Sequence, residues 1–281
     1  MNEATQTSAR AMSHAQASAC RLCGGEGIPH FSLAVLQKYT VQYYLCSRCK
    51  SLQTQEPYWL EEAYSTPVHQ GAGGTSQNLN DLDTGAAQRV LSSLAVTARV
   101  ANSLNLKNVL DYGGGDGLLC RLLRDYGFNA FVSDPHAAPT YAPGFTRPNF
   151  ERPDLITAFE VMEHMSNPAE ELAALFELQP TAFLATTTTY SGQDKDWWYL
   201  IPSTGHHIFF YSEAALQMIA DRHGYELVRP GGYILFVKPG TISAAKRRFL
   251  ELAMRAKPLR LYRAMLNLRS PIPENGAPPA A

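Results

Sequence analysis

The sequence lacks a long apolar run and a strong net charge of either sign. No apolar stretch approaches the roughly 20 residues of a membrane-spanning helix. The first 18 residues are rich in Ala, Ser and Gln, without the apolar core of a secretory signal. A formal net charge of −1 gives no general attraction to nucleic acid. These absences predict a cytoplasmic protein whose cysteines stay reduced.

The length and composition leave room for one α/β domain and a small accessory module, because 281 residues with 45% hydrophobic residues can bury a sizeable core. Charge is unevenly spread: the segment from Thr241 onward carries +6, and residues 1–240 carry −7. Apolar residues lie among these cations at helical spacing, which predicts an amphipathic helix interrupted near Pro258. We expect it to pack on its own domain; a peripheral membrane contact, an acidic partner and nucleic acid are the alternatives.

Four of the five cysteines form two C-x-x-C pairs with 22 residues between them. Each pair can present two thiolates from one turn, and four thiolates complete the tetrahedral shell of a structural zinc ion. The predicted ligands are Cys20, Cys23, Cys46 and Cys49. A redox dithiol and two disulfides are the alternatives. Because so short a module buries little surface, the metal should supply its folding free energy. Loss of a cysteine ligand should therefore misfold the first ~65 residues and not the catalytic domain. The fifth cysteine, Cys120, is predicted to be a core residue.

A glycine-rich stretch follows a short apolar run and a carboxylate. Val109-Leu110 leads into Asp111 and Tyr112, and glycine then recurs at every second position, at Gly113, Gly115 and Gly117. An apolar helical stretch comes next. A strand, a tight glycine turn and a helix let a ligand lie against bare backbone at a helix N-terminus. The dinucleotide pattern G-x-G-x-x-G would need a further glycine where Leu118 stands.

Two further apolar runs lead to carboxylates. The run 128–132 is followed by Asp134, 23 residues after Asp111, and an acid at this place can accept both hydroxyls of a ribose. The segment 154–164 reads D-L-I-T-A-F-E-V-M-E-H, which predicts a strand over 155–159 that runs into a turn.

Later segments predict the rest of a sheet. The β-branched run 181–187 suits a buried strand, Ser212 caps a helix that ends at Gly224, and a hairpin closes around 230–232. The stretch 135–153 is short and lacks helical periodicity, so a crossover helix and a third strand look abbreviated.

Taken in order, these motifs resemble the class I S-adenosylmethionine (SAM) methyltransferases, whose motif I is G-x-G-x-G behind an acid. The resemblance covers 106–238 and implies an α/β, Rossmann-like sheet with helices on both faces. It implies SAM contacts from Asp111, Tyr112, Gly113, Gly115, Gly117, Asp134, Phe159 and Glu160. The N-terminus is similar to zinc ribbons that precede such domains in bacterial enzymes of sugar or natural-product tailoring. A nucleotide-type α/β domain without catalysis is the alternative.

Chemistry is predicted at the carboxyl ends of the strands. A histidine suits the removal of a proton from an acceptor hydroxyl, and His207 stands in a G-x-H-x-x-F-Y pattern that resembles the family's. We therefore predict His207 as the base, with His164 and Glu163 as further catalytic residues. These side chains would otherwise cap or pack loops. The aromatic run 197–199 predicts a substrate lid, a surface that stacks on a sugar, or core packing.

Glu160, Glu163 and His164 would share one face of a helical turn that began at Glu160, and with His207 they could bind Mg²⁺ or Mn²⁺. The same E-x-x-E-H letters occur with a divalent ion in small-RNA 3′-end 2′-O-methyltransferases and ubiquinone-pathway O-methyltransferases. In other relatives Glu160 would lie beside the cofactor and His164 would orient a loop. We expect the metal-free arrangement.

The predicted organisation is a disordered tail at 1–18, a zinc ribbon at 19–66, a linker and lead-in helix at 67–105, a SAM-dependent methyltransferase domain at 106–238, and a basic amphipathic helical tail with a disordered end at 239–281. The predicted reaction is O-methylation of a small-molecule acceptor, such as a sugar, a sugar nucleotide or another metabolite. An RNA 3′-end 2′-O-methyltransferase, against which the acidic main body argues, and an inactive SAM-binding scaffold are the alternatives.

Overall fold

A computed structural model describes residues 18–65 and 85–255 as two sheets with packed helices. The predicted N-terminal disorder, the linker, the helix interruption near Pro258 and the C-terminal end lie outside the described residues. Within the described part, no helix has the length and apolar character needed to cross a membrane.

The N-terminal sheet is antiparallel and has the order β1-β2-β3-β4-β9. Four of its strands come from the N-terminal segment: β1 (Ser18–Ala19), β2 (Glu26–Val35), β3 (Tyr39–Cys46) and β4 (Leu52–Thr54). The fifth, β9 (Phe209–Phe210), arrives from more than 150 residues further along the chain and pairs with β4. A short helix, α1 (Leu60–Ser65), follows β4.

The second sheet has six strands in the order β10-β11-β8-β7-β5-β6. They are β5 (Asn108–Tyr112), β6 (Asn129–Ser133), β7 (Leu155–Phe159), β8 (Ala182–Thr186), β10 (Glu226–Val228) and β11 (Ile234–Val237). Strands β5 to β8 are parallel, and β11 joins β8 in the antiparallel sense. The helices are α2 (Gly85–Leu104), α3 (Leu118–Asp125), α4 (Pro168–Glu177), α5 (Glu213–His223) and α6 (Ala244–Arg255).

Predicted elements around the six-stranded sheet are confirmed where residues at their ends determine where they begin and end. Helix α5 begins at Ser212, whose Oγ accepts a hydrogen bond from the Ala215 N–H at 3.0 Å. It ends at Gly224, which takes the left-handed φ of 72°. Strands β10 and β11 form the predicted closing hairpin. Between β6 and β7 the chain forms neither helix nor strand, so the abbreviated third strand is also confirmed.

Buried side chains alternate between the two faces of the six-stranded sheet. Leu110, Ile156 and Phe183 pack on one face with residues of α4 and α5. Neighbouring residues such as Val109 and Leu155 pack on the other face with α2 and α3. Because both faces are covered by helices, the predicted Rossmann-like α/β class is confirmed.

The N-terminal sheet does not pack as a separate body. The cysteine pairs and Leu22 belong to the same buried cluster as Ile156 and Phe209. A further cluster joins Trp59 and Tyr43 to Tyr199 and to β9. This shared packing favours coupled rather than separate misfolding, and the expectation that loss of a ligand misfolds the first ~65 residues alone stays a prediction. The boundaries at 19–66 and 106–238 stay predictions.

Helix α6 packs on the domain through Leu250, which is fully buried, and through an ion pair between Arg247 and Glu226 at 2.5 Å. Its outer side exposes Phe249 and Leu252, which are 58% and 59% accessible. The predicted helix is thus confirmed over Ala244–Arg255, whereas the amphipathic tail over 239–281 stays a prediction. A membrane or acidic partner for this helix stays a prediction.

Candidate active site

The carboxyl ends of β5 to β8 lie along one edge of the parallel sheet, where ligands collect in open α/β folds. The turn after β5 is the first loop of the chain on this edge. Gly113, Gly115 and Gly117 take φ values of 66°, 57° and 82°, a region that other residues enter only at a cost. Gly117 caps α3, so the turn leads directly into a helix N-terminus. The predicted strand, glycine turn and helix are confirmed.

Gly114, which the G-x-G-x-G pattern leaves as a free position, is also required by the geometry. A Cβ on Gly114 would overlap Asp111 Oδ2 and lie 2.7 Å from Val132 Cγ2. A Cβ on Gly113 would lie 2.5 Å from Val161 Cγ2. Glycine at both positions is therefore required by packing against these side chains, and the turn is bare backbone.

Asp111 lies at the end of β5, where it is only 2% exposed. Its Oδ1 accepts a hydrogen bond from Thr157 Oγ1 at 2.7 Å, whereas Oδ2 has no partner among the described residues. Burial raises the pKa of Asp111 to about 7; the Thr157 hydrogen bond opposes this shift, and nearby carboxylates add to it. An orphaned buried carboxylate oxygen fits the cationic amino-acid end of SAM. The sequence did not reveal Thr157 as the second partner, because the pairing crosses from β5 to β7.

Asp134 follows β6 and is held by three backbone N–H groups. Gly115 donates to its Oδ2 at 2.8 Å, and His136 and Ala137 donate to its Oδ1 at 2.8 and 2.9 Å. These bonds tie the end of β6 to the glycine turn and fix the orientation of the carboxylate. Oδ2, with one donor, keeps capacity for a further hydrogen bond, which fits a hydroxyl of the predicted ribose.

Tyr112 and Phe159 end β5 and β7 on the same edge, and both are half-buried. Glu160 follows Phe159 with a left-handed φ of 54° and an exposed side chain. A non-glycine residue in this region stores strain of the kind found at functional sites. The structure thus brings all eight predicted cofactor residues to one edge, and their contacts with SAM stay a prediction.

Glu163 is fully buried in a short 3₁₀ turn over Met162–His164. The Tyr199 hydroxyl lies 2.6 Å from Glu163 Oε1 and 3.0 Å from Glu160 Oε2, while Glu163 Oε2 has no partner among the described residues. Burial raises the pKa of Glu163 to about 8, and the charge of Glu160 adds to the shift. The predicted helical turn from Glu160 is wrong, because the turn begins two residues later. Tyr199, rather than a shared helix face, joins the two carboxylates.

His164 and His207 come together with Glu163. One potential ligand atom from each of these three residues lies within 4.8 Å of the other two, and Glu160 lies outside this group. The ring centroids of the two histidines are 5.0 Å apart. Burial lowers the pKa of His207, against the effect of a hydrogen bond between its Nδ1 and the Tyr199 carbonyl at 2.7 Å. Burial and neighbouring imidazoles also hold the pKa of His164 well below its usual value.

A stack of rings covers this cluster, and sequence reasoning missed it. Tyr64 of α1 stacks on His136 with centroids 3.9 Å apart and on His206 with centroids 4.5 Å apart. Its hydroxyl lies 3.3 Å from His164 Nδ1. Tyr64 therefore connects the loop after Asp134 with the histidine cluster. No sequence signal marks Tyr64, because it belongs to the N-terminal segment and reaches the cleft only through tertiary packing.

The three residues of the aromatic run 197–199, which follows β8, lie in different environments. Tyr199 is buried in the cleft, and Trp197 packs against the aromatic cluster of the N-terminal sheet. Trp198 is 71% exposed beside Tyr199, with ring centroids 5.2 Å apart. Core packing is thus the structural role of two of these residues, and a substrate-facing role is left for Trp198 alone.

The four predicted cysteine ligands converge on one point, with all four Sγ atoms within 4.8 Å of one another. Cys20 and Cys49 are 3.6 Å apart at sulfur, and Cys23 and Cys46 are 3.5 Å apart. These distances exceed the roughly 2.05 Å of a disulfide and are close to the roughly 3.8 Å edge of a zinc–sulfur tetrahedron. A Cβ on Gly25 would lie 3.0 Å from Cys46 Sγ, so glycine there leaves room for the cluster. The four residues fit a tetrahedral metal ion.

Comparisons with known proteins give a family model and several distantly similar solved structures. The family model described as "Methyltransferase domain" matches residues 84–229. Magnesium protoporphyrin IX methyltransferase from Synechocystis PCC 6803 aligns with 15% identity, a TM-score of 0.42, and coverage of 54% of this chain and 83% of its own. The plantazolicin methyltransferase BamL aligns with 14% identity, a TM-score of 0.47, and coverage of 76% and 90%. The methyltransferase domain of bacterial CtHen1 aligns with 19% identity, a TM-score of 0.38, and coverage of 53% and 97%.

A search of curated proteins finds no match. The structural similarities are too distant to carry a substrate, and we infer none from them. The family model covers more than half of the chain, and the sheet order and glycine turn agree with it. The chain belongs to the methyltransferase domain family and is a class I SAM-dependent methyltransferase.

Proposed function

We propose that the enzyme transfers the methyl group of SAM to a hydroxyl of a small polar acceptor, with His207 as the general base. The observation that carries this proposal is the hydrogen bond between His207 Nδ1 and the Tyr199 carbonyl at 2.7 Å. Because a carbonyl only accepts, Nδ1 must carry the proton, and the lone pair of the neutral ring is then on Nε2. The lowered pKa keeps this ring neutral at neutral pH, the form a base requires.

SAM supplies a methyl group by in-line displacement at carbon, and its sulfonium leaves as a neutral thioether. The acceptor oxygen forms the new bond to the methyl carbon as the carbon–sulfur bond breaks. His207 Nε2 takes the hydroxyl proton, which balances the charge. Asp111 and Asp134 would hold the amino-acid and ribose ends, and the glycine turn would present bare backbone to the ligand.

A sugar or sugar nucleotide is the acceptor class that we favour. The part of the chain that forms the cleft is acidic overall, with −7 over residues 1–240, which disfavours a phosphate-rich polymer. The exposed Trp198 ring lies beside the cleft residue Tyr199 and offers an apolar face on which a sugar ring can stack.

Methyl-labelled SAM tests the proposal when it is incubated with a panel of sugar nucleotides and, separately, with RNA oligonucleotides that carry free 3′ ends. We expect label in a sugar nucleotide. His207→Ala should lower the rate by roughly 10²–10⁴-fold while SAM binding persists. His223→Ala, on the far end of α5, is the matched control and should retain the wild-type rate. Wild-type turnover by His207→Ala, or label only in RNA, would contradict the proposal.

A second candidate is a divalent-ion mechanism at Glu163, His164 and His207. The specific observation in its favour is the buried Glu163 Oε2, which has no partner among the described residues, within a group whose ligand atoms lie within 4.8 Å. Carboxylate and imidazole ligands suit Mn²⁺ or Mg²⁺, and a bound ion would acidify the acceptor hydroxyl. This mechanism would favour the 2′-hydroxyl at an RNA 3′ end as the acceptor.

Chelation separates the two mechanisms. Under our proposal, EDTA treatment that leaves the four-cysteine zinc bound, as elemental analysis checks, leaves methyl transfer intact, and Mn²⁺ titrated into the protein gives no binding heat that depends on Glu163. Under the second candidate, EDTA abolishes transfer, added Mn²⁺ restores it, and Glu163→Gln is as damaging as His207→Ala because the ligands act as a unit. Glu177→Gln is the control, because Glu177 is exposed at the end of α4 and lies outside the three-residue group.

We also infer that Cys20, Cys23, Cys46 and Cys49 bind a structural zinc ion. All four ligands are protein thiolates, which leaves no open position for a substrate. The 3.5 and 3.6 Å sulfur–sulfur distances support tetrahedral coordination. Elemental analysis should find one zinc per chain after dialysis, and zinc-free protein with five titratable thiols would contradict the assignment.

A further inference from the structure

The segment that carries His207 is attached to the N-terminal sheet. Its strand, β9, pairs with β4 through Phe209–Gln53 and Phe210–Leu52. Among the described strands, β9 has no pairing with the six-stranded sheet. We call residues 18–65, which hold both C-x-x-C pairs, the cysteine-rich module. The backbone on the carboxyl side of His207 is therefore positioned by residues of this module.

Ile208, the residue after His207, is held from two sides. Its carbonyl accepts hydrogen bonds from the Arg21 guanidinium at 2.7 Å and from the Thr54 N–H at 3.0 Å. Its own N–H donates to the Glu163 carbonyl at 2.9 Å. The cysteine-rich module and the Glu163 turn thus meet at a single residue beside the proposed base.

Arg21 stands inside the first C-x-x-C turn and is anchored there. Its backbone N–H donates to Gln53 Oε1 at 2.9 Å. Its guanidinium also reaches the Gln55 carbonyl at 3.4 Å and lies 6.0 Å from the centroid of the Phe209 ring. Arg21 is half-buried, and a guanidinium removed from water is costly without partners, so these carbonyls and the ring restrict where β9 can lie relative to the turn.

The other end of the His207 segment is held in the same way. Ser212, which caps α5, donates from Oγ to the carbonyl of Cys49 in the second C-x-x-C turn. Arg222 of α5 donates to the Leu22 carbonyl in the first turn at 2.9 Å. Both cysteine turns therefore bond directly to the segment between the cleft and the end of α5.

We propose that the metal-bound cysteine module is a positioning element of the active site, in which Arg21 fixes the backbone that presents His207 next to Glu163. Arg21 touches no reacting atom and is a positioning residue. The catalytic consequence rests on the proposed function of His207. The positioning of this backbone can be measured without turnover. The positioning role of Arg21 and the catalytic role of His207 can therefore be disproved separately.

Hydrogen exchange and NMR on the zinc-loaded full chain test the proposal. Arg21→Met should increase exchange of the Ile208 amide by at least about tenfold, because one of the bonds that hold this residue is lost. The His207 imidazole nitrogens should change from one tautomer to a mixture. Arg21→Lys, which keeps the charge but not the forked donor, should give an intermediate effect.

Arg48→Met is the matched control. Arg48 occupies the second C-x-x-C turn and is exposed, and its guanidinium donates to the Cys23 carbonyl at 3.4 Å, away from β9. The variant should leave exchange across 205–212 and the His207 spectrum unchanged. Unchanged exchange and spectrum in zinc-loaded Arg21→Met would overturn the proposal. If Arg21→Met does not fold, equal exchange in Arg21→Lys and Arg48→Lys would overturn it instead.

Zinc release gives an independent measurement. When a chelator removes zinc from the wild-type protein, exchange across 205–212 should rise together with that of β2 and β3, while β5 stays protected. Persistent protection of 205–212 with the metal gone would overturn the proposal. A His207→Ala enzyme with wild-type turnover would overturn the proposed base but would leave these exchange results standing.

Discussion

The two carboxylates that end β5 and β6 are held in opposite ways. Asp134 has three backbone N–H donors and is partly accessible, so the orientation of its carboxylate is fixed before SAM binds. Asp111 has one hydroxyl donor, is buried, and leaves one oxygen unsatisfied among the described residues. A cationic ligand group therefore gains more from Asp111, whereas Asp134 is oriented to accept hydrogen bonds.

SAM binding should depend on pH through Asp111. Its folded pKa of about 7 lies above the ordinary 3.8, so protonation stabilises the ligand-free fold in acid, and this contribution is lost as the pH rises through about 7. Between about pH 7.5 and pH 5.5, where the amino group of SAM stays largely protonated, affinity should fall by up to about tenfold per pH unit below the Asp111 pKa.

Calorimetry in two buffers of different ionisation enthalpy measures this effect, because SAM binding near pH 6 should release a proton from Asp111. Asp111→Asn should bind SAM weakly and without that proton release. Equal affinity of the wild-type protein at both pH limits would show that Asp111 does not meet the cationic end of SAM.

At the scale of elements, the glycine turn between β5 and α3 depends on crowding as well as on backbone conformation. Gly114→Ala should cost about 1–3 kcal/mol of unfolding free energy, because the new Cβ would strike Asp111 Oδ2 and Val132. It should also weaken SAM binding by displacing the Asp111 carboxylate.

Gly127→Ala is the matched control. Gly127 follows α3 with a φ of 85°, and a Cβ added there would have no neighbour within 4 Å among the described residues. The variant should lose about 1 kcal/mol through backbone strain and bind SAM normally. Denaturant unfolding and SAM calorimetry on both variants measure the two effects. Normal SAM affinity in Gly114→Ala would contradict the role given to the crowded turn.

Elements with local signals are predictable from the sequence, and contacts between distant segments are not. The cap at Ser212, the glycine turn and the apolar runs of the parallel strands specify structure within a few residues, and all lie where the sequence predicts them. Strand β9 has two residues and gains its identity only by pairing with β4. The spacing of Glu160 from Glu163 and His164 predicts a helical turn that begins at Glu160. The observed φ of 54° at Glu160 instead depends on the surrounding tertiary structure.

At the scale of the whole molecule, the cysteine-rich module and the methyltransferase sheet share a core. The sulfur ligands and Leu22 pack in one cluster with Ile156, Met162 and Phe236 of the larger domain. Arg21 and Ser212 add hydrogen bonds between the two parts. A metal ion bound at the four cysteines would therefore stabilise the catalytic domain as well as the short segment that binds it.

Thermal unfolding of a cysteine variant tests this coupling. Cys49→Ser should lose zinc and lower the unfolding temperature of the six-stranded sheet by on the order of 10 °C, because that sheet loses ordered packing against the module. Cys120→Ala is the matched control: Cys120 is buried in α3 away from the metal ligands, so the variant should keep zinc and lose about 1 kcal/mol. Calorimetry with zinc analysis measures both. If Cys49→Ser showed the sheet unfolding at the wild-type temperature, the two parts would be independent, and the shared cluster would contribute little to the stability of the catalytic domain.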